Sequence, residues 1–138
     1  LFRSDITLGL RYHSNADYDR ALRTLETLCH DLPVPGTSAT LSLLGRYPAM
    51  EETPGTQKLL DLYDAASRLL DLGPVKPLAA GGCSDSAFVT QMGIPTLCSL
   101  GIGGANPHTR EEYALLSTML PQCRKLVTTI LSLSGDEA

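Results

Sequence analysis

Hydrophobic and polar positions alternate over residues 5–12. Ile6, Leu8 and Leu10 fall on one side, Thr7, Gly9 and Arg11 on the other. A period of two predicts a half-buried strand. Ser14 and Asn15 can cap a helix that begins near Ala16. Tyr18, Leu22, Leu25, Cys29 and Leu32 then recur on one face of it. Pro33, Pro35 and Gly36 end that helix, and residues 40–44 read as a second strand. The segment 46–55 is rich in Pro and Gly, carries Glu51 and Glu52, and reads as a linker. Thr56 can cap a second helix with Leu59, Tyr63, Ala66 and Leu70 as its buried stripe, stopped by Gly73 and Pro74. A short apolar run, 78–82, leads into a glycine turn. Ser84 or Asp85 can cap a helix through Met92, closed by Gly93. Residues 95–101 are nearly all apolar, as expected of a central strand covered on both faces. Residues 111–117 are expected to be helical. Pro121 suits the first position of a last helix with Cys123, Leu126, Val127 and Ile130 facing inward.

This order predicts two lobes. Residues 1–45 give strand, helix, strand, a small α+β piece. The remainder alternates helix and strand, the mark of an α/β layer fold.

Composition narrows the function classes. The chain has 138 residues, of which 43% are hydrophobic, enough to bury the core of one domain or two small lobes. A net charge of −4 argues against nucleic acid, which selects basic surfaces. No apolar run approaches the ~20 residues of a membrane helix. Cys29, Cys83, Cys98 and Cys123 include no C-x-x-C pair, so free thiols are expected, three of them in apolar surroundings. The first residue is Leu1 and no signal-peptide pattern is visible; a piece of a longer protein would look like this.

Chemistry concentrates in residues 81–113. Gly81-Gly82-Cys83-Ser84-Asp85 lets backbone approach a ligand and opens a helix N-terminus. On residue pattern alone it reads first as a tight strand-to-helix turn with Asp85 acting only as a cap. His108 follows a buried segment and three glycines, Gly101, Gly103 and Gly104. It is either a surface-loop histidine or a metal ligand. Arg11 and Arg46, at the ends of the two predicted strands, are solvated charges or bidentate carboxylate binders. Glu111 and Glu112 suit the first turn of a helix, where the dipole favours negative charge, while Glu51 and Glu52 read as linker charges.

Taken in order, these motifs resemble one family. Gly-Gly-x-Ser-Asp, then Gly-Ile-Pro-Thr-Leu (93–97), then Leu100-Gly101, then His108-Thr-x-x-Glu-Tyr113 is similar to the C-terminal segment of the dinuclear-zinc peptidases. That family includes carboxypeptidase G (glutamate carboxypeptidase), acetylornithine deacetylase and succinyl-diaminopimelate desuccinylase. Leu8-Gly9-Leu10-Arg11-Tyr12 with Asn15–Tyr18 and Ala21–Glu26 resembles the strand and helix of the family's dimerisation lobe. Arg46-Tyr47-Pro48-Ala49 resembles the segment that returns to the catalytic lobe.

The resemblance implies a fold and a site. Residues 1–45 would be the C-terminal half of a dimerisation lobe, and 46–138 the C-terminal part of an α/β catalytic lobe. His108 would be the family's last zinc ligand. Arg11 and Arg46 would hold a substrate carboxylate, with Ser84, Asp85, Gly103 and Gly104 lining the site. The family hydrolyses an amide using a water held by two zinc ions. Substrates would be peptides or N-acyl amino acids, with glutamate release the nearest subgroup and N-acyl amino acid deacylation an alternative.

The departures are as informative. The chain has no His-x-Asp, and its Glu51-Glu52 falls in the wrong segment to be the family's general base. Asn106 and Pro107 stand where small residues are usual, and Pro107 is expected to restrict Asn106. One histidine cannot hold two zinc ions. The chain alone is therefore expected to be inactive, to lack an N-terminal catalytic half, and to form homo-oligomers through exposed sheet edges. A non-catalytic dimerisation fragment and a stand-alone α/β binding domain are the competing expectations.

Overall fold

The computed structural model describes residues 2–135. Among them are four α-helices, one 3-10 turn and one two-stranded ladder, a mixed α+β chain with few strands. They are helix α1 (Asn15–His30), helix α2 (Pro54–Leu69), helix α3 (Ser86–Gln91), strand β1 (Gly104–Ala105), strand β2 (Tyr113–Ala114), the 3-10 turn Leu116–Thr118 and helix α4 (Met119–Gly135). The chain divides into two compact units, Leu1–Glu51 with Ala80–Gly93, and Glu52–Ala79 with Ile94–Ala138.

In the first unit, α1 forms where its caps predict. The Ser14 hydroxyl accepts the Asp17 backbone N–H at 3.1 Å and donates to the Asp17 carboxylate at 2.8 Å. One of the orphan donors of the first turn is satisfied this way. The predicted stripe is the inner face: Tyr18 is buried, and Leu22, Leu25, Cys29 and Leu32 are half-buried. Helix α3 buries Ala87 and Thr90 and is closed by Gly93 at φ +80°, a conformation glycine adopts without strain. Asp85 holds the N-cap position of this helix without capping it through its side chain. It is already helical (φ −61°, ψ −21°), while the Ser84 hydroxyl accepts the Ser86 N–H at 3.2 Å.

In the second unit, α2 starts earlier than predicted. Thr53 is the cap, its hydroxyl accepting the Thr56 N–H at 3.1 Å, and Pro54 takes the first helical position. Proline suits that place because its missing N–H would have had no intrahelical partner. Gly55 lies against the Pro95 ring, with no room for a Cβ. Tyr63, Ala66 and Ser67 are buried, and α2 packs on α4. The Tyr63 hydroxyl donates to Gln122 Oε1 at 3.0 Å, and Lys125 Nζ lies 5.0 Å from its ring centroid. Burying such a side chain contributes about 1.5–3 kcal/mol. After Leu70 the chain turns through Asp71 (φ +57°) and Gly73 (φ +77°). The Ser67 hydroxyl closes this turn on the Gly73 carbonyl at 2.8 Å.

Several expectations are corrected. Residues 5–12, 40–44 and 95–101 belong to no strand, so the expected α/β layer is not formed among the described residues. A strand needs a backbone ladder to a neighbour, and among the described residues that ladder forms only between β1 and β2. The 95–101 run is also interrupted by Ser99 at φ +60°, which no ladder accommodates. Residues 111–117 form no α-helix: Glu111 and Glu112 lie in a loop, followed by β2, and only Leu116 and Ser117 enter the 3-10 turn. Helix α4 begins at Met119 and turns a different face inward. Gln122, Lys125, Leu126 and Thr129 are its covered positions, while Cys123, Val127 and Ile130 are exposed. Cys83 and Cys98 are exposed as well, and Cys29 is half-buried.

Candidate functional site

The candidate residues fall into two groups by unit. Arg11, Arg46, Ser84 and Asp85 belong to the first, Gly103, Gly104 and His108 to the second.

In the first unit, Arg11 reaches the glycine turn, its Nη1 donating to the Gly81 carbonyl. The neighbouring Tyr12 hydroxyl donates to the Tyr47 carbonyl, and its ring packs 5.1 Å from Tyr18. Tyr47 in turn packs 5.4 Å from Phe88 of α3. The segment preceding α1, the 46–51 segment and the glycine turn are thereby joined. Arg46 lies over the Tyr18 ring, Cζ 4.1 Å from the centroid. Its Nη2 donates to Asn15 Oδ1 at 3.3 Å and stands 3.9 Å from the Asp19 carboxylate. Such a stack is electrostatically favourable and orients the guanidinium.

Sequence reasoning missed two residues of this group. Glu51 is no linker charge: its carboxylate accepts the Asn15 backbone N–H at 3.1 Å and the Asn15 Nδ2 at 3.0 Å. Asn15 is the first residue of α1 rather than its cap, and its Oδ1 accepts the Ala49 N–H at 3.2 Å. No local pattern signals either role, because the partners lie 36 positions apart. The Asp17 carboxyl is held below its ordinary value, chiefly by the Ser14 hydroxyl; burial opposes this, and Arg20, whose Nη2 lies 2.5 Å away, lowers it further.

In the second unit, β1 and β2 pair antiparallel, Gly104 opposite Ala114 and Ala105 opposite Tyr113. His108 sits in the loop between them and is exposed. Gly103 is gripped on both sides. Its N–H donates to Thr118 Oγ1 at 2.8 Å and its carbonyl accepts the Leu115 N–H at 2.7 Å. Gly104 has no space for a side chain, since a Cβ would overlap the Tyr113 carbonyl oxygen. Gly104 thus admits close backbone contact between hairpin arms, a structural reason for its being glycine, whereas a Cβ at Gly103 would meet the Thr118 side chain at 3.3 Å.

The His108 loop is tightly bonded. The Asn106 carbonyl accepts both the Thr109 N–H at 3.3 Å and the Thr109 hydroxyl at 2.9 Å. The Glu112 carboxylate accepts the His108 N–H at 3.1 Å. Asn106 (φ +57°) and His108 (φ +66°) both occupy the left-handed region. Pro107 was expected to hold Asn106 extended. Instead Asn106 takes positive φ, which asparagine tolerates better than most residues, and the loop bonds hold it there. Each such residue costs about 1–3 kcal/mol, and conformations of this kind cluster at functional sites.

Among the described residues no group of three or more His, Cys, Asp or Glu could hold a metal ion. A zinc site takes at least three protein donors, so these residues do not fit a zinc centre by themselves. A concave surface in the first unit, lined by Cys29, His30, Leu32 and the 34–39 segment, includes none of the candidate residues.

Comparison with known proteins sets this chain beside a peptidase, at a distance and over part of that protein's length. The relative is Carboxypeptidase G2 of Pseudomonas sp. (strain RS-16), 29% identical over 119 residues. The match takes in 83% of this chain and 28% of the relative, so the chain spans little more than a quarter of that protein. No family model matches the chain, and no solved structure does.

Proposed function

We propose that this chain is the C-terminal portion of a zinc-dependent metallopeptidase of the glutamate-carboxypeptidase type. The complete protein would hydrolyse an amide bond and release a C-terminal acidic residue. The observation that carries this reading is the span of similarity, most of this chain against a small part of a carboxypeptidase. In this reading residues 1–45 belong to a dimerisation lobe and 46–138 to the catalytic lobe. His108 supplies one zinc donor from its bonded loop. The remaining donors and the general base come from an N-terminal half outside this sequence. Arg11 and Arg46 face the substrate's carboxylate, with Ser84, Asp85, Gly103 and Gly104 as backbone walls. Release of the acyl group from an N-acyl amino acid is the same chemistry on a shorter substrate.

A second reading, a non-catalytic interaction fragment, is favoured by the large apolar side chains left exposed, among them Ile6, Leu44, Leu78 and Ile130. Calorimetry with zinc and a hydrolysis assay on acyl-glutamates test the first reading on this chain. It predicts weak zinc binding and no turnover; tight stoichiometric zinc with turnover would refute the one-donor assignment. Mixing with a separately expressed N-terminal half is expected to restore hydrolysis. Restoration would dismiss the fragment reading.

A further inference from the structure

Asn15 is bonded through its backbone N–H and through both polar atoms of its side chain. Its backbone N–H and Nδ2 both meet the Glu51 carboxylate, at 3.1 and 3.0 Å, one on each oxygen. Its Oδ1 accepts from Arg46 Nη2 at 3.3 Å and from the Ala49 N–H at 3.2 Å. An amide oxygen has two lone pairs, and both are used. The network also fixes which way the amide points. Turned over, it would set its NH₂ against a guanidinium and an N–H, and its oxygen against a carboxylate. Glu51 therefore determines where the Asn15 oxygen lies, and that oxygen holds one edge of Arg46.

Two further groups complete the hold. The Tyr18 ring, 5% exposed, lies under the guanidinium, and the Asp19 carboxylate stands 3.9 Å from Nη2. With this edge engaged, the Arg46 side chain is still 35% exposed. A guanidinium held in one orientation with part of its surface free is prepared for a planar, two-oxygen partner, because less freedom is lost on binding.

We infer that Asn15, locked by Glu51, is the positioning residue for Arg46, and that Arg46 engages a substrate carboxylate only while this lock is closed. The inference rests on the reading of Arg46 as a carboxylate anchor, and its two parts are separable by experiment. The lock itself is read from the Arg46 Nε–Hε signal in nitrogen-15 NMR of this chain. Wild type should show a distinct, slowly exchanging signal. Asn15→Ala and Glu51→Gln should move it to the position of a free arginine. Glu51→Gln is the gentler change, since glutamine keeps one acceptor for the Asn15 N–H, and circular dichroism monitors α1 in both variants.

The anchor is read by titrating N-acetyl-L-glutamate. Arg46 should respond in wild type, and the dissociation constant should rise about ten-fold in either variant, the effect of one hydrogen bond to a charged group. An unmoved Arg46 signal in both variants, with α1 intact, overturns the positioning role whatever the ligand does. A signal that moves in the variants but ignores N-acetyl-L-glutamate in wild type overturns the carboxylate reading and leaves the lock standing.

Discussion

Gly104→Ala tests the hairpin that presents His108. The perturbation is one methyl group, but the obstacle is backbone. The new Cβ would overlap the Tyr113 carbonyl oxygen and come within 3.3 Å of both the Tyr113 carbonyl carbon and Ala114 Cα. No side chain can rotate out of the way, so the strands must part. Gly104 carries no positive φ, so crowding is the whole effect. Overpacking of this kind costs about 1–3 kcal/mol. Parting the arms also weakens the Leu115 N–H bond to the Gly103 carbonyl, 2.7 Å long, worth about 1 kcal/mol. The expected loss is therefore about 2–4 kcal/mol for the hairpin. A two-residue ladder can open locally, so the assay is amide hydrogen exchange at Leu115 with urea unfolding beside it. Protection at Leu115 should fall at least about thirty-fold, the equivalent of ~2 kcal/mol. Gly101→Ala is the control, since a Cβ there meets nothing within 4 Å. Unchanged Leu115 exchange in Gly104→Ala, or an equal change in Gly101→Ala, would refute the reasoning.

Three further outcomes are expected. Tyr63→Phe keeps the ring under Lys125 but leaves Gln122 Oε1 without its donor, and should cost about 1 kcal/mol in urea unfolding; no loss would show that the 3.0 Å bond contributes nothing. The Asp64 carboxyl is held below its ordinary 3.8, first by the Arg68 guanidinium and then by the Val75 N–H. Its charged form is favoured in the folded chain, so its stabilisation is complete above the unfolded value and fades as pH falls below about 3.8 toward the lowered folded one. Asp64→Asn should flatten the acid limb of a thermal-melt pH series, and an identical limb would contradict this assignment. Exposed Ile6, Leu8, Leu43 and Leu44 should drive concentration-dependent association in light scattering, whereas a clean monomer at high concentration would count against it.

The helices were legible because their causes are local. Ser14 caps α1 within one turn, the Tyr18 stripe recurs on one face, and Gly93 stops α3, all within a short window of sequence. Strand pairing is not local. The alternation at Ile6, Leu8 and Leu10 specifies a residue pattern that suits a sheet, but a ladder forms only with a neighbour, and the described chain offers none. The inner face of α4 was misread because apolar residues surround that helix. The choice went to the face that matches Tyr63, with Gln122 for its hydroxyl and Lys125 for its ring. In the candidate site the motif residues were visible, whereas Glu51 and Asn15 were not, because a contact across 36 positions leaves no periodic trace. The positive φ of His108 escaped notice for a related reason, since it is set by the Glu112 carboxylate and the Asn106 turn rather than by its own side chain.

The central claim is that the His108 imidazole belongs to a zinc centre whose other donors lie on polypeptide outside this sequence. Metal analysis of the intact protein that contains this chain, purified as wild type and as His108→Ala, tests it most directly. The account predicts about two zinc ions per wild-type chain and the loss of at least one in the variant. Wild-type protein free of zinc, or a variant that keeps the full complement, would contradict it.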